Sequence, residues 1–547
     1  MNQHRREFEN IPIEIENLES SNKLYNQYYK EHGFLYYIDI DEDGNSVLLW
    51  LSRFLTLLKM IENEDTGNFQ YLLEMETAVG MRQCTTDKQT VTMRRFDKLT
   101  AKGFTYNEEH TDLIIKYLLL AENDAEKIMQ YTYLGFRDNH FWGYPEAGRE
   151  YIGNLKLECS SEYSKNELNE LLEDAPNLQF ALTVGASTAV LGYLGQEMPL
   201  TTNIVHFWGD TSVGKTTALL TAISVWGKPT IDSGLLSTWN QTENALMSNR
   251  LANNHSAVVA LDESSLCKYD LSSMIYNVSQ GVNRQRLKKD TTPVSTAKWL
   301  TTVISSGESP LLEHTNQNGG LKVRCFDFHL QITKSAEHAN AVKAFVLNNY
   351  GHIGREIVTN LEESEFSEIK EMFKEKRTEV LEAIPEEERL PITDRITDSY
   401  AIWLLTAEFL NELGIAVQCE EIIQILLNHH KELGKNYNIS DKIYNIILSR
   451  VASKKSLYPR RSEYFGIGNI EGLMSDGIVV IIATEFERIL RENGFTDRLL
   501  CLRSLYKSGL LKKQREDTYY SKILINNVSV KAVAINIILN NKEDISL

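Results

Sequence analysis

Ten residues, FWGDTSVGKT at 207–216, constrain this chain more than any other stretch. They follow the apolar run TTNIVHFWG, a strand pattern, and lead into TTALLTAISVWG, a helix pattern. In that setting the Gly-x4-Gly-Lys-Thr spacing reads as a loop that grips phosphate between a strand and a helix. Its glycines let the backbone close around the anion, and its N–H groups converge at the helix N-terminus. The expected cradle runs through Gly209, Asp210, Thr211, Ser212, Val213, Gly214, Lys215, Thr216 and Thr217. Lys215 is expected to reach the β and γ phosphates of ATP, and the Thr216 hydroxyl to ligate Mg2+. A chance Gly-Lys-Thr in a turn would lack the two flanks. An α/β core follows, but the motif alone does not say what the nucleotide is used for.

Three further stretches narrow that use. The apolar run SAVVALDE (256–263) ends in Asp262-Glu263, 47 residues after Lys215. Beside a phosphate loop, Asp262 is expected to hold Mg2+ and Glu263 to orient and polarise an attacking water. A kinase needs no such glutamate, so the pair points to hydrolysis. The run KWLTTVISSGE (298–308) reads as a third strand, and Ser306 or its neighbour Ser305 at its end is the candidate for sensing the γ-phosphate. GGLKVRCFDF (319–328) sets Arg324 just before a strand. Such an arginine serves either a neighbouring subunit's γ-phosphate or a surface ion pair.

The net charge of −18 argues against a nucleic-acid partner if it is spread evenly. It is not. NRQRLKKDTTPVSTAKW holds Arg284, Arg286, Lys288, Lys289 and Lys298 against Asp290, a net of +4. A hairpin arm pushed into a channel to hold a DNA backbone fits that reversal; a solvated hairpin is the plainer alternative. Residues 498–531 reverse sign again, with eight basic residues, among them Arg503, Lys507, Lys512, Lys513 and Arg515, against two acids. There ATEFERILRENG and DRLLCLRSLYKSGLL read as two helices, and KKQREDTYYSKILI as a basic β-like run. Helix-turn-helix followed by a β wing is a winged-helix pattern, suited to phosphate contact.

At 547 residues the chain is too long for one core. We expect an N-terminal accessory α+β domain over 1–165, the nucleotide core over 166–335, a helical lid or linker region over 336–435 and the winged helix over 440–547. In the first domain FLYYIDIDEDGNSVLLW reads as two strands, 110–132 as helical, and YLGFRDNHFWGY as a hairpin turning at Asp138-Asn139. The uncharged stretch 175–196 is rich in small residues and reads as a buried helix rather than a membrane span. No two of the six cysteines are closer than 58 residues, which excludes CxxC zinc knuckles and predicts free thiols in a reducing cytoplasm. The start MNQHRREFEN has no apolar h-region. GIGNIEG (466–472) mimics a dinucleotide loop, but its glycine spacing is wrong and it reads as a turn.

Taken together, FWGDTSVGKTTALLTAISVWGKP, ALDES, the basic stretch, WLTTVISSGE and GGLKVRCFDF resemble the DUF927 family of AAA+ ATPases. Within it they are similar to the cassette chromosome helicases of staphylococcal mobile elements, themselves akin to MCM helicases. The resemblance covers residues 130–335 well, the C-terminal domain loosely and the first 130 residues only in general character. It implies a hexameric ring that hydrolyses ATP between subunits and translocates on single-stranded or forked DNA. It implies the finger role for Arg324, a sensor-2 role for Arg395 in ITDRITDSY, and a DNA-contacting hairpin at Lys288-Lys289. An element-encoded replication partner would fit. The family's strand end Ser-Thr-Gly-Glu is here Ser305-Ser306-Gly307-Glu308, which keeps a hydroxyl. The cysteine spacing gives no support for an N-terminal zinc ring. The expectation is therefore an ATP-dependent DNA helicase. The alternatives are an ATP-switched DNA-binding initiator that does not unwind and, more weakly, a protein-remodelling ATPase.

Overall fold

The computed structural model describes residues 11–12, 23–25, 27–283, 296–315, 319–435, 439–464, 469–475, 477–495, 497–513, 518–526 and 528–537. Residues 1–133 with 143–153 form one compact unit, and 134–142 with 154–547 form a second.

The first unit is built on two five-stranded sheets. The strands Phe34–Ile40 and Ser46–Arg53 pair antiparallel across the expected turn, with Gly44 at φ 84°. The helical period expected over 110–132 holds only to Ala121: helix Thr111–Ala121 is followed by a strand, Glu126–Tyr131, parallel to Leu55–Asn63. The intervening Asn123-Asp124 breaks the helix, as short side chains that compete for backbone hydrogen bonds do. Leu55, Tyr71, Leu73, Phe96, Ile114 and Leu118 form the centre of its core.

The second unit opens with the hairpin Gly135–Arg137 and His140–Trp142. Asp138 and Asn139 turn it with φ of 53° and 59°, the double left-handed turn that suits strand twist. Its Phe136 and Phe141 pack on Tyr193 and Trp226.

The heart of this unit is a five-stranded parallel sheet of β1 (Asn203–Trp208), β2 (Leu236–Thr238), β3 (Val259–Asp262), β4 (Thr302–Gly307) and β5 (Cys325–His329). The order across it is β2-β3-β4-β1-β5. Helix α1 (Pro176–Leu194) is buried along almost its whole length, and α2 (Lys215–Ser224) leaves the loop after β1. The small residues of α1 have a geometric cause. A Cβ on Gly185 would lie 2.3 Å from the Ala222 carbonyl oxygen of α2, and one on Gly192 2.0 Å from that of His255. Phe180 of α1 meets Phe207 of β1, Phe328 of β5 and Trp403 edge-on, so the strand ahead of the loop is held by aromatic packing. Among the described residues no helix is long and apolar enough to cross a membrane.

After α3 (Leu271–Ser279) and the last two core strands come α4 (Ala336–Val346), α5 (His352–Glu363), α6 (Phe366–Ala383), α7 (Thr393–Glu412) and α8 (Cys419–Lys435). The chain then runs α9 (Ile439–Ser453), the hairpin β6 (Gly472–Ser475) and β7 (Ile478–Ile482), α10 (Ala483–Glu492), α11 (Arg498–Lys507), β8 (Leu511–Lys512), β9 (Ser521–Ile525) and β10 (Val528–Asn536). β10 pairs with β7, β8 and β9. Ile443 and Ile447 of α9 share a core with Phe486, Leu502, Leu505, Val533 and Ile535. α10, α11 and the strand β9 follow the sequence pattern expected of them, whereas α9 and the hairpin β6–β7 were not expected. GIGNIEG runs into β6 at Gly472, and its residues 466–468 lie outside the described residues.

Candidate active site

The loop between β1 and α2 takes the backbone shape its glycines permit. Gly209 sits at φ 144° and Gly214 at φ 92°, with Ser212 at 73° between them. Gly214 caps α2, so Lys215, Thr216 and Thr217 open the helix with N–H groups directed at the loop mouth. The Lys215 ammonium donates to the carbonyls of Gly209 (2.6 Å) and Asp210 (2.8 Å), folding over the loop it would share with phosphate. Asp210, Thr211 and Ser212 are exposed and Val213 half-buried, its carbonyl accepting the Ile332 N–H at 2.8 Å. The Thr217 side chain is buried.

Asp262 ends β3 beside this loop. The Thr216 hydroxyl lies 3.4 Å from its Oδ2, and the Ser306 hydroxyl donates to its Oδ1. Ser306 in turn accepts the Glu263 backbone N–H at 3.1 Å. Glu263 holds φ 64°, unusual for a residue with a side chain, and its Oε1 accepts the Ser265 hydroxyl at 2.7 Å. Strand order explains the meeting. β4 lies between the loop strand and the Asp262 strand, so a hydroxyl at its end falls between them. Pleat alternation separates the two serines. Ser305 points to the other face, where it is buried, 2.9 Å from His206 Nδ1 and accepting the Trp239 indole N–H at 2.9 Å.

Among the described residues no group of three or more His, Cys, Asp or Glu could hold a metal alone. Thr216 and Asp262 nonetheless offer one hydroxyl and one carboxylate, the sparse hard-oxygen set that Mg2+ takes when phosphates and waters complete its shell.

Arg324 sits at the opposite end of the sheet. Its carbonyl accepts the Ile204 N–H at 2.8 Å, level with the start of β1. The loop begins at Gly209, roughly 16 Å further along at strand rise. Its guanidinium lies 5.0 Å from the Tyr276 ring centroid and donates to the Gly320 carbonyl. Burial, and after it the charge of Arg395, push its pKa below the ordinary value. Arg395, exposed in the first turn of α7, is thus near enough to Arg324 for its charge to be felt. Three residues after Arg324, half-buried Asp327 accepts the N–H groups of Leu311 and Leu312 at 3.1 and 3.0 Å. Burial raises its pKa to about 7. It ties the approach to β5 in place, a role that no local sequence pattern marks.

Of the expected DNA contacts, Arg503, Lys507 and Lys512 are exposed, and Lys513 lies between two tyrosine rings. Arg284, Arg286, Lys288, Lys289 and Arg515 lie outside the described residues.

Comparison with known proteins agrees with this architecture. Residues 27–298, just under half of the chain, match the family model described as "Domain of unknown function (DUF927)". The match begins well ahead of residue 130, so the likeness to that family takes in most of the first unit. The solved structure "SCCmec type IV Cch - active helicase" shares the fold: TM-score 0.73 at 19% identity, over 94% of this chain and 98% of that one. "The A form apo structure of NrS-1 C terminal region-CTR(305-718)" aligns with 87% of this chain and 96% of its own at 11% identity, but its TM-score of 0.29 adds nothing to the assignment. No curated protein matches.

Proposed function

We propose that this chain is an ATP-dependent DNA helicase, an MCM-like ring that moves on single-stranded DNA and serves replication of a mobile genetic element. Its core is read as AAA+ over 166–335, followed by a helical lid over 336–435 and a winged helix over 440–547. The observation that carries the reading is the convergence of Thr216, Asp262, Ser306 and Glu263 under one phosphate loop. That set is built to split a phosphoanhydride with water. The kinship of fold with a structure described as an active helicase supports the use of that chemistry for unwinding.

In this reading Lys215 leaves the loop carbonyls to meet the β and γ phosphates of ATP, and the loop N–H groups hold them. Mg2+, bound between Thr216 and Asp262, would neutralise charge as the γ-phosphoryl transfers. Glu263 polarises the attacking water. Ser306 contacts both the Asp262 carboxylate and the Glu263 backbone, so its hydroxyl can report the presence of γ-phosphate to both. Arg324 is too far from its own loop to serve it. It is read as acting on the nucleotide of an adjacent subunit, which requires a head-to-tail assembly, read here as a hexameric ring; Arg395 is read as the sensor-2 residue. Lys288 and Lys289 are read as the DNA-contacting hairpin.

Strand displacement on a forked duplex with ATP and Mg2+, run beside Lys215→Ala, tests this. Unwinding by the wild type alone is expected. ATP hydrolysis with DNA bound, but no displacement on forks of either polarity, would leave the ATP-switched initiator.

A further inference from the structure

The basic C-terminal run carries aromatic rings as well as charge. Tyr506, in the last turn of α11, is 45% exposed. Its ring meets that of Tyr519 edge-on, with centroids 5.8 Å apart. Lys513 Nζ lies 3.9 Å from the first centroid and 4.4 Å from the second. Arg503, one turn earlier on the same helix face, and Lys507 are exposed beside them. The combination recurs at the other end of α11, where Lys531 Nζ and the Arg498 guanidinium lie 3.8 and 5.9 Å from the Tyr520 centroid. The strands that follow keep the sign: Lys522 and Lys531 stand opposite each other across β9 and β10.

The chemistry of this face matches one form of nucleic acid better than another. A helix that reads a duplex groove meets base edges and phosphates, and it uses polar and charged side chains to do so. α11 instead exposes Leu499 and Leu500 in its first turn and an aromatic ring in its last. An accessible π-face with cations beside it is what holds unstacked bases, since every base has a face to stack and a phosphate to neutralise. From this we infer that the Tyr506–Tyr519 face of the C-terminal domain holds unpaired bases of a DNA strand. Tyr506 stacks on a base, and Arg503, Lys507 and Lys513 meet the flanking phosphates. The inference rests on the DNA reading above and adds to it which form of DNA this domain holds.

The test uses the full chain and two labelled probes, a mixed-sequence single strand and the same sequence as a blunt duplex. Binding is followed by fluorescence anisotropy over a salt series. Tyr506→Ala is expected to weaken single-strand binding about tenfold, the effect of losing one stacked base. Duplex binding should stay within about twofold, and the salt slope should not change, because no phosphate contact is lost. Tyr506→Phe keeps the ring and should retain wild-type binding. Lys507→Ala should lower the single-strand salt slope by about 0.7. A strand carrying 5-iododeoxyuridine should photocrosslink to the peptide holding Tyr506 or Tyr519, which separates this face from any other strand-binding surface. Equal losses on both probes, or no loss on either with crosslinks elsewhere, would overturn the inference. A wild type that binds neither probe, with or without ATP, would instead sink the DNA reading on which it rests.

Discussion

Ser306 donates its hydroxyl hydrogen to the Asp262 carboxylate while accepting the backbone N–H of Glu263 at 3.1 Å. One side chain thus touches both halves of the acidic pair. Its neighbour Ser305 is turned away, 2.9 Å from both His206 and Trp239 inside the protein. Two adjacent hydroxyls on one strand therefore have separable roles.

Replacing them separately should lower stability in both cases but turnover per folded molecule in only one. Ser306→Ala removes a hydrogen bond to a charged group at the reacting end of the site. ATP turnover per folded molecule should fall about 10- to 100-fold, beside a stability loss of about 1–3 kcal/mol, because Ser306 is itself buried. Ser305→Ala leaves buried His206 and Trp239 each short of a partner, at a cost of about 1–3 kcal/mol, while turnover per folded molecule persists. Calorimetry and steady-state ATPase assays on both variants check this; equal turnover losses would contradict the assignment. Glu263→Gln should bind ATP and hydrolyse it about 100-fold more slowly or worse.

The distance between Arg324 and its own loop gives a mixing experiment. Arg324→Ala and Lys215→Ala should each be inactive alone. Mixed, they form some interfaces in which an intact loop faces an intact arginine, and ATPase activity should partly return. An arginine with only a structural role would give no such recovery. The readout is hydrolysis rate against mixing ratio at fixed total protein.

How much of this was legible beforehand differs by region. The phosphate loop, the Asp-Glu pair and their strands were readable because each motif couples fixed residue types to a switch in hydrophobic period. The choice between Ser305 and Ser306 was not, since pleat phase depends on where the strand begins. Nor was the strand Glu126–Tyr131, whose apolar residues follow a helix closely enough to extend its pattern. The tyrosines at 506, 519 and 520 were visible as letters, but their approach to Lys513 and Lys531 depends on a fold that brings separated residues together.

Gly185 offers a test of the helix pair beneath the loop. In an ordinary helix Gly→Ala gains about 1 kcal/mol from propensity. Here the added Cβ would lie 2.3 Å from the Ala222 carbonyl oxygen, and backbone cannot step aside as a flexible side chain can. Overpacking of this kind costs about 1–3 kcal/mol or more, so the clash wins. Gly185→Ala should lower the thermal midpoint of the full chain and, by shifting α2, raise the KM for ATP. A midpoint at or above wild type would show that α1 and α2 are less tightly apposed than described.

Glu471 ties the C-terminal domain together, and the arrangement predicts acid sensitivity. Its carboxylate accepts from Arg450 Nε (2.7 Å) and Nη2 (2.9 Å), from Arg488 (2.8 Å) and from the Tyr458 hydroxyl (2.7 Å), with its side chain 9% exposed. The hydrogen bonds from Arg450, foremost among these, hold its pKa at about 2 against an ordinary 4.5. A carboxylate whose folded pKa is depressed binds fewer protons folded than unfolded between those values. Its stabilisation is therefore complete above pH 4.5 and is lost as the pH falls towards 2. Glu471→Gln leaves half-buried Arg450 with only Glu492 as a carboxylate partner and should cost about 1–3 kcal/mol at neutral pH. The gap between wild type and variant should close on acidification, because the wild type then loses the charge the variant never had. Denaturant titrations at pH 7 and at pH 3, followed through a signal from the C-terminal domain, measure both gaps. A difference that stays constant with pH would show that the glutamate acts through packing rather than charge.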